Sequence, residues 1–353
     1  MIELINFKEE MKSALKTIKQ YSTTQSEDLE ILKQIEITSF EFPRVKPIDM
    51  LAIDGSYAFI LNFSARWLAI IKIAALLYEL VEGEKIGFKL KETFLLEKPV
   101  IVAGERDERV KLVNELLRYH EQMVLNILAG KLSNTLIAID GSLAIPLNMP
   151  LAMPASPAPA FASALKACRE NKNLLAGVSK DSNTRVFGAS VSDEELLSFH
   201  QHRGLGYVKM KIKEIKEIKE IKEIKEIKEI KEIKEIKEKE TSGNFAVYFV
   251  KLFPSAKRWF RVDIAGKPEE VLPQLASYSR SQLCPGYPYP LLEAHRFAIS
   301  VRHFKERYEE LLFNLAASEG IELERIAAWR TNLEGEKINS FHEYLDVVTG
   351  GCR

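Results

Sequence analysis

The chain has 353 residues, 46% of them hydrophobic and 28% charged, and its 50 basic and 50 acidic side chains cancel. Those proportions belong to a soluble globular chain with room for one large domain or two modest ones. The balance excludes an overall basic field that would draw nucleic acid, so any such surface has to be a local patch. Three widely spaced cysteines, Cys168, Cys284 and Cys352, argue against a disulfide framework or a four-cysteine zinc site and fit a reducing cytoplasm.

The N-terminus meets acidic residues at once and has no uninterrupted apolar core, so it does not read as a secretory signal. Residues 5–37 predict an amphipathic helix, with Phe7, Met11, Leu15 and Ile18 at three- and four-residue steps. Pro43 and Pro47 close it. LAIDGS (51–56) then reads as a buried strand breaking into an Asp-Gly turn, with Tyr57–Phe63 returning as its antiparallel partner. The apolar stretch 67–81 is shorter than the ~18–20 residues of a membrane span and holds Lys72, so it predicts buried core, strand or helix, and no membrane. Residues 88–96 continue a strand-rich block. From Asp107 to Leu128 the apolar positions take helical spacing, with Gly130 as the expected stop.

LIAIDGS (136–142) repeats the earlier motif: a strand over 136–139 ending in Asp140. A Pro- and Ala-rich loop follows at 146–161, then a helix over 162–172 and a third buried strand over 174–182. His200 and His202 resemble a metal pair but have no third ligand nearby, and read as polar surface. Residues 212–238 are nine consecutive Ile-Lys-Glu triplets. A three-residue period suits neither a strand face nor a helix face, so the run reads as a solvated low-complexity insertion. Beyond it, 245–253 and 258–264 predict a β-hairpin. A helix is expected from about Leu291, and another over Phe297–Ser318.

Two strands ending in Asp-Gly-Ser admit two explanations. Asp-Gly is good turn chemistry in itself; alternatively, Asp54 and Asp140 deliver carboxylates to one site. Glu115 and Glu121 lie on the helix before the second motif, and His295 on a late helix. Carboxylate on a strand, carboxylate on a helix, carboxylate on a second strand, then a late His is the order used in ribonuclease-H-like nucleases. Hard oxygen ligands suit Mg²⁺ and Mn²⁺, and paired divalent ions serve in-line attack on a phosphodiester.

In this order AIDGS (52–56), the helix RVKLVNELLRYHEQMVLNIL (109–128) ahead of IAIDGSL (137–143), GVSKDSNTR (177–185), GLGY (204–207), VYFVKLFPSAKRWFRVDI (247–264) and YPYPLLEAHR (287–296) resemble the NurA nuclease family. The resemblance implies an α/β fold, a ribonuclease-H-like mixed sheet flanked by helices. An N-terminal helical segment would occupy 1–47, the nuclease domain 48–318 with the insertion at 211–240, and a tail 319–353. It implies a metal-dependent DNA nuclease, 5′-to-3′ on single and double strands and endonucleolytic on single strands. Such an enzyme works with a HerA-type hexameric translocase in DNA-end resection and break repair, as a cytoplasmic homodimer. Asp54, Glu121, Asp140 and His295 would hold Mn²⁺ or Mg²⁺, with Glu121 preferred over Glu115 because it lies closer to the second strand. Lys180 would meet the scissile phosphate and Tyr207 would position the strand. Lys251, Lys257, Arg258, Trp259 and Arg261, interleaved with Tyr248, form a candidate DNA-binding hairpin of stacking rings and phosphate charges. The alternatives are an inactive adaptor of a DNA translocase and, less favoured, a nucleotide hydrolase of the wider ribonuclease-H-like group; no GxxxxGK[ST] motif supports the latter.

Overall fold

The computed structural model describes residues 11–12, 25–44, 46–63, 66–81, 86–143, 157–180, 182, 184–200, 202–210 and 245–321. The Ile-Lys-Glu run, most of the N-terminal helical expectation, residues 144–156 (which include most of the expected Pro- and Ala-rich loop) and residues from 322 onward lie outside them. The elements are α1 (Gln25–Gln34), β1 (Thr38–Phe40), β2 (Met50–Phe63), β3 (Arg66–Val81), β4 (Gly87–Ala103), α2 (Arg106–Lys131), β5 (Leu136–Asp140), α3 (Pro157–Glu170) and β6 (Leu174–Ser179). They continue with α4 (Asp193–Ser198), β7 (Leu205–Lys209), β8 (Ala246–Lys251), β9 (Phe260–Ala265), α5 (Pro268–Tyr278), α6 (Tyr289–His303) and α7 (Lys305–Ser318).

All nine of these strands join one sheet in the order β1-β7-β8-β9-β6-β5-β2-β3-β4. β5 is parallel to β2 and to β6; the other pairs are antiparallel. The antiparallel β2-β3-β4 meander leading into parallel β5 and β6 is the ribonuclease-H-like mixed sheet expected from the sequence. The period of two sorts the side chains between two cores. Met50, Ala52, Leu136 and Ala138 pack with Leu272 and Leu275 of α5 and Leu291 and Ala294 of α6. Leu51, Ile53, Ile137 and Ile139 pack on the opposite face with Leu125 and Leu128 of α2 and Ala164 and Leu165 of α3. β5 and β6 are covered on both sides, which is why they read as continuous apolar runs.

Several boundaries differ from the sequence reading. The first Asp-Gly-Ser is not a turn: β2 runs through it, and β3 pairs with β2 from Met50↔Tyr78 to Phe63↔Arg66. Residues 66–81 are therefore a strand, not a helix, and Tyr57–Phe63 extends β2 instead of folding back on it. Gly130 lies inside α2, whose C-cap is Leu132. α3 starts at Pro157, inside the expected loop; prolines are tolerated in a first turn because the amides they lack have no intrahelical partner there. The helix expected over Phe297–Ser318 is divided at Phe304, which caps both α6 and α7. No helix among the described residues is long and apolar enough to cross a membrane.

Trp259 shows how far the interior extends. It is 1% exposed and packs with Leu196, Leu197 and Phe249. Trp259→Ala is expected to cost about 3–5 kcal/mol of stability, the usual range for emptying a buried aromatic site, measured by denaturant unfolding.

Candidate active site

The register of two parallel strands builds the site. Ile53 pairs with Ile139, so Asp54 and Asp140 come next, side by side and on the face that α6 covers. β5 ends at Asp140, while β2 continues without a parallel neighbour. The site thus opens at the carboxyl end of a parallel strand, the usual place for ligands in such sheets. Gly141, with φ +117, turns the chain away, a conformation glycine adopts without a Cβ penalty.

α6 brings His295 over this face. Its Nδ1 lies 2.7 Å from Asp54 Oδ2 and 3.9 Å from Asp140 Oδ2. Asp54 Oδ1 accepts from the Gly55 N–H at 2.7 Å. One ligand atom each from Asp54, Asp140 and His295 lies within 4.8 Å of the others. Lys180, just after β6, donates to Asp140 Oδ2, and its carbonyl accepts from Arg258 Nη2 at 2.6 Å.

Glu121 enters from the opposite face. Gly55 makes this possible, since a Cβ there would stand 2.7 Å from Glu121 Oε1, 2.7 Å from Leu117 Cδ1 and 2.8 Å from Ile73 Cδ1. Glycine leaves room for a carboxylate against the strand, next to Asp54. Burial, then the charges of Asp54 and Asp140, push Glu121 up to about 8; Arg118 and the Gly55 amide pull weakly the other way. Asp140 is pushed up to about 6 by burial and by Asp54, with Lys180 opposing. Desolvation beside the Asp54 carboxylate disfavours the charged forms of Glu121 and Asp140. A divalent cation relieves that conflict, and the carboxylate oxygens suit hard ions such as Mn²⁺ or Mg²⁺.

Tyr287 was missed as a site residue. It is 7% exposed, and burial together with Asp140 and Asp54 raises its phenol far above the ordinary tyrosine range. It is therefore a neutral donor beside the acids, and the Lys180 ammonium sits 5.4 Å from its ring centroid. Its place eight residues before His295, in the Pro-Gly-Tyr-Pro turn that leads into α6, was the available signal.

The structure brings Asp54, Asp140, His295 and Lys180 together, and Glu121 comes up to Gly55 from the opposite face, outside that group of mutually close ligand atoms; it does not bring Tyr207. That residue is on β7, beyond β6, β9 and β8 from β5, with its hydroxyl 3.5 Å from Glu269 and its ring against Phe40 and Tyr248. Tyr207→Phe is expected to leave cleavage within about twofold of wild type, since a substitution remote from the site shifts energies by about 0.5 kcal/mol or less; initial rates check this. Of the proposed DNA-contacting set, Lys257 and Arg258 are exposed and line a pocket with Ser182, Ser192 and Glu194. Trp259 has no free face for a base. Lys251 is buried and donates to the His202 carbonyl at 2.6 Å, and Arg261 is paired with Asp263 at 3.1 Å. His202 packs its ring near Trp259 and His200 instead of joining the acidic cluster.

With this geometry in view, known proteins give a consistent answer. The family model described as the NurA domain matches residues 48–298. The NurA nuclease from Sulfolobus solfataricus is similar in structure, with TM-score 0.57 and 16% identity, over 91% of this chain and 99% of that one. A NurA structure with manganese gives TM-score 0.52 and 12% identity over 85% and 98%. NurA bound to dAMP and manganese gives 0.50 and 12% over 81% and 92%. A search of curated proteins finds no match. At these identities the structures speak for the fold, and the family model carries the assignment: it spans most of the chain, both aspartates and His295, and the chain belongs to the NurA nuclease family.

Proposed function

We propose that this chain is a divalent-metal-dependent deoxyribonuclease that digests DNA from 5′ ends and cuts single strands internally. It acts in the cytoplasm as a homodimer, with a HerA-type translocase, in DNA-end resection and double-strand break repair. The observation that carries the reading is the convergence of Asp54, Asp140 and His295 on one point of the sheet, with Glu121 reaching in beside Gly55. The manganese in related NurA structures supports the choice of cation.

Asp54, Asp140, Glu121 and His295 would hold two divalent ions. When bound, such ions activate water and stabilise the leaving oxygen of an in-line phosphodiester displacement. The protein's own groups supply the rest. The β2–β5 register fixes the two aspartates side by side, so little reorganisation is needed as the substrate binds. Lys180 is already ion-paired with Asp140 and would turn its ammonium to a non-bridging oxygen of the scissile phosphate. Tyr287, kept neutral, would donate a hydrogen bond at the same point. His295 is part-exposed at the rim, 41% for its side chain, and can pass a proton to solvent. Exposed Lys257 and Arg258 continue positive charge outward from Lys180 and would follow the strand's phosphates.

Digestion of 5′- and 3′-labelled single-stranded DNA in Mn²⁺, Mg²⁺ or EDTA tests the reading. Metal-dependent cleavage that releases the 5′ label first is expected, with faster digestion of duplex ends when the translocase is added. Release of the 3′ label first would overturn the polarity. An inert protein, with or without its translocase, would overturn the enzyme.

A further inference from the structure

The second Asp-Gly-Ser differs from the first in what holds it. Asp263 of β9 is completely buried, and it is the cross-strand partner of Gly177 in β6. Asp263 Oδ2 accepts from Ser142 Oγ at 2.5 Å and from the Leu143 N–H at 3.0 Å. Arg261 Nε donates to Asp263 Oδ1 at 3.1 Å, and Arg261 Nη2 lies 3.4 Å from Ser142 Oγ and 3.5 Å from Asp263 Oδ2. The turn also rests directly on the sheet: Gly141 N–H donates to the Val178 carbonyl at 2.8 Å. A Cβ on Gly177 would stand 2.6 Å from the Gly141 carbonyl oxygen and 2.9 Å from Leu143 N.

From these contacts we infer that Asp263, with Ser142 and Arg261, is a positioning device for the metal ligand Asp140. The inference rests on reading Asp140 as a ligand. Asp140 is the last residue of β5, and after the Gly141 amide, which still bonds the Val178 carbonyl, the backbone leaves the strand ladder. The carboxylate of Asp263 takes up the two residues after Gly141, Ser142 through its hydroxyl and Leu143 through its amide. It does so from the α2/α3 side of the sheet, where Gly177 leaves space for the turn to descend. Asp140 then projects from the opposite side toward Asp54 and His295. A buried carboxylate is costly unless its oxygens are fully satisfied, and Arg261 meets that need by balancing the charge. Arg261 thereby serves the site without touching substrate. The first motif has no such device, because β2 continues through Asp54 and the β3 ladder holds it.

Metal affinity is the quantity a positioning residue controls, and groups that orient ligands typically cost 10–100-fold when removed. Calorimetric titration of Mn²⁺ into the wild-type protein, Asp263→Asn, Ser142→Ala and Ser142→Thr tests this, with thermal unfolding of each metal-free protein as the control for folding. Asp263→Asn and Ser142→Ala are expected to bind Mn²⁺ about tenfold or more weakly at nearly unchanged unfolding temperature for Ser142→Ala. Ser142→Thr, which keeps the hydroxyl, is expected to recover most of the affinity. Should Asp263→Asn fail to fold, the two Ser142 variants decide. If wild type binds Mn²⁺ and Ser142→Ala binds it equally well, the positioning role is overturned while the metal site stands. If wild type binds no Mn²⁺, the reading of Asp140 as a ligand falls, and this inference with it.

Discussion

Changing Asp54 and Asp140 together to Asn is expected to lower the single-turnover rate of DNA cleavage by roughly a thousandfold or more. Divalent ions contribute several kcal/mol to a displacement of this kind, and each 1.36 kcal/mol is tenfold in rate. Asn keeps the shape and can still meet His295 and Lys180 through its amide oxygen, so the fold should survive. DNA binding should survive too, because the exposed cations Lys257 and Arg258 are unchanged. The single variants are expected to fall nearly as far as the double one. Ligands of one metal act as a unit, and their effects do not add. Filter binding and quenched-flow cleavage on the same preparations separate the two quantities; an active double variant would remove both residues from the chemistry.

Glu121→Gln should lower the cleavage rate by a similar order and, unusually for a buried substitution, stabilise the metal-free protein in alkali. In the fold Glu121 keeps its proton up to about 8, whereas an unfolded glutamate loses it near 4.3, as in model peptides. The stability this group lends is therefore full below the unfolded value and is lost as pH rises through about 8. Gln has no proton to lose, so its variant escapes that decline. The expectation is similar unfolding temperatures at pH 5 and a higher one for Glu121→Gln at pH 9, both in EDTA. Mn²⁺ should reverse the order at pH 9, because ligand bound only by the native state raises its stability and the variant has lost a ligand. Equal unfolding temperatures at pH 9 in EDTA would mean Glu121 is not buried among the other carboxylates. Such an exchange of stability for activity is common where function needs a destabilised site.

Much of this site was legible in the chain. The short apolar runs ahead of Asp140 and Ser179 read as buried strands, though nothing in them said that they lie parallel. That reading placed Asp140 at a strand end and made Asp54 its natural companion. The first motif was misread as a turn because Asp-Gly chemistry is local, whereas the β3 ladder that carries β2 through it is not. α5 escaped notice because Pro273 sits within it, and a proline in a helical pattern normally argues for a break. Trp259 looked like a stacking platform because alternation along a hairpin does not say which face is covered; Leu196 and Leu197 of α4, sixty residues away, cover it. Gly55 and Asp263 could not be read as site residues at all, and Tyr287 only through its place in the turn before His295. Their roles depend on contacts between distant elements: Tyr287 with Asp140, Gly55 with Glu121, Asp263 with Ser142.

The measurement closest to the central claim is the anomalous scattering of manganese in crystals of the wild-type protein grown or soaked in Mn²⁺. A peak bounded by Asp54, Asp140 and His295, on the face of the sheet that α6 covers and absent from Asp54→Asn/Asp140→Asn crystals, is the predicted result. No manganese there, or manganese bound elsewhere while these side chains keep their metal-free contacts, would contradict the account.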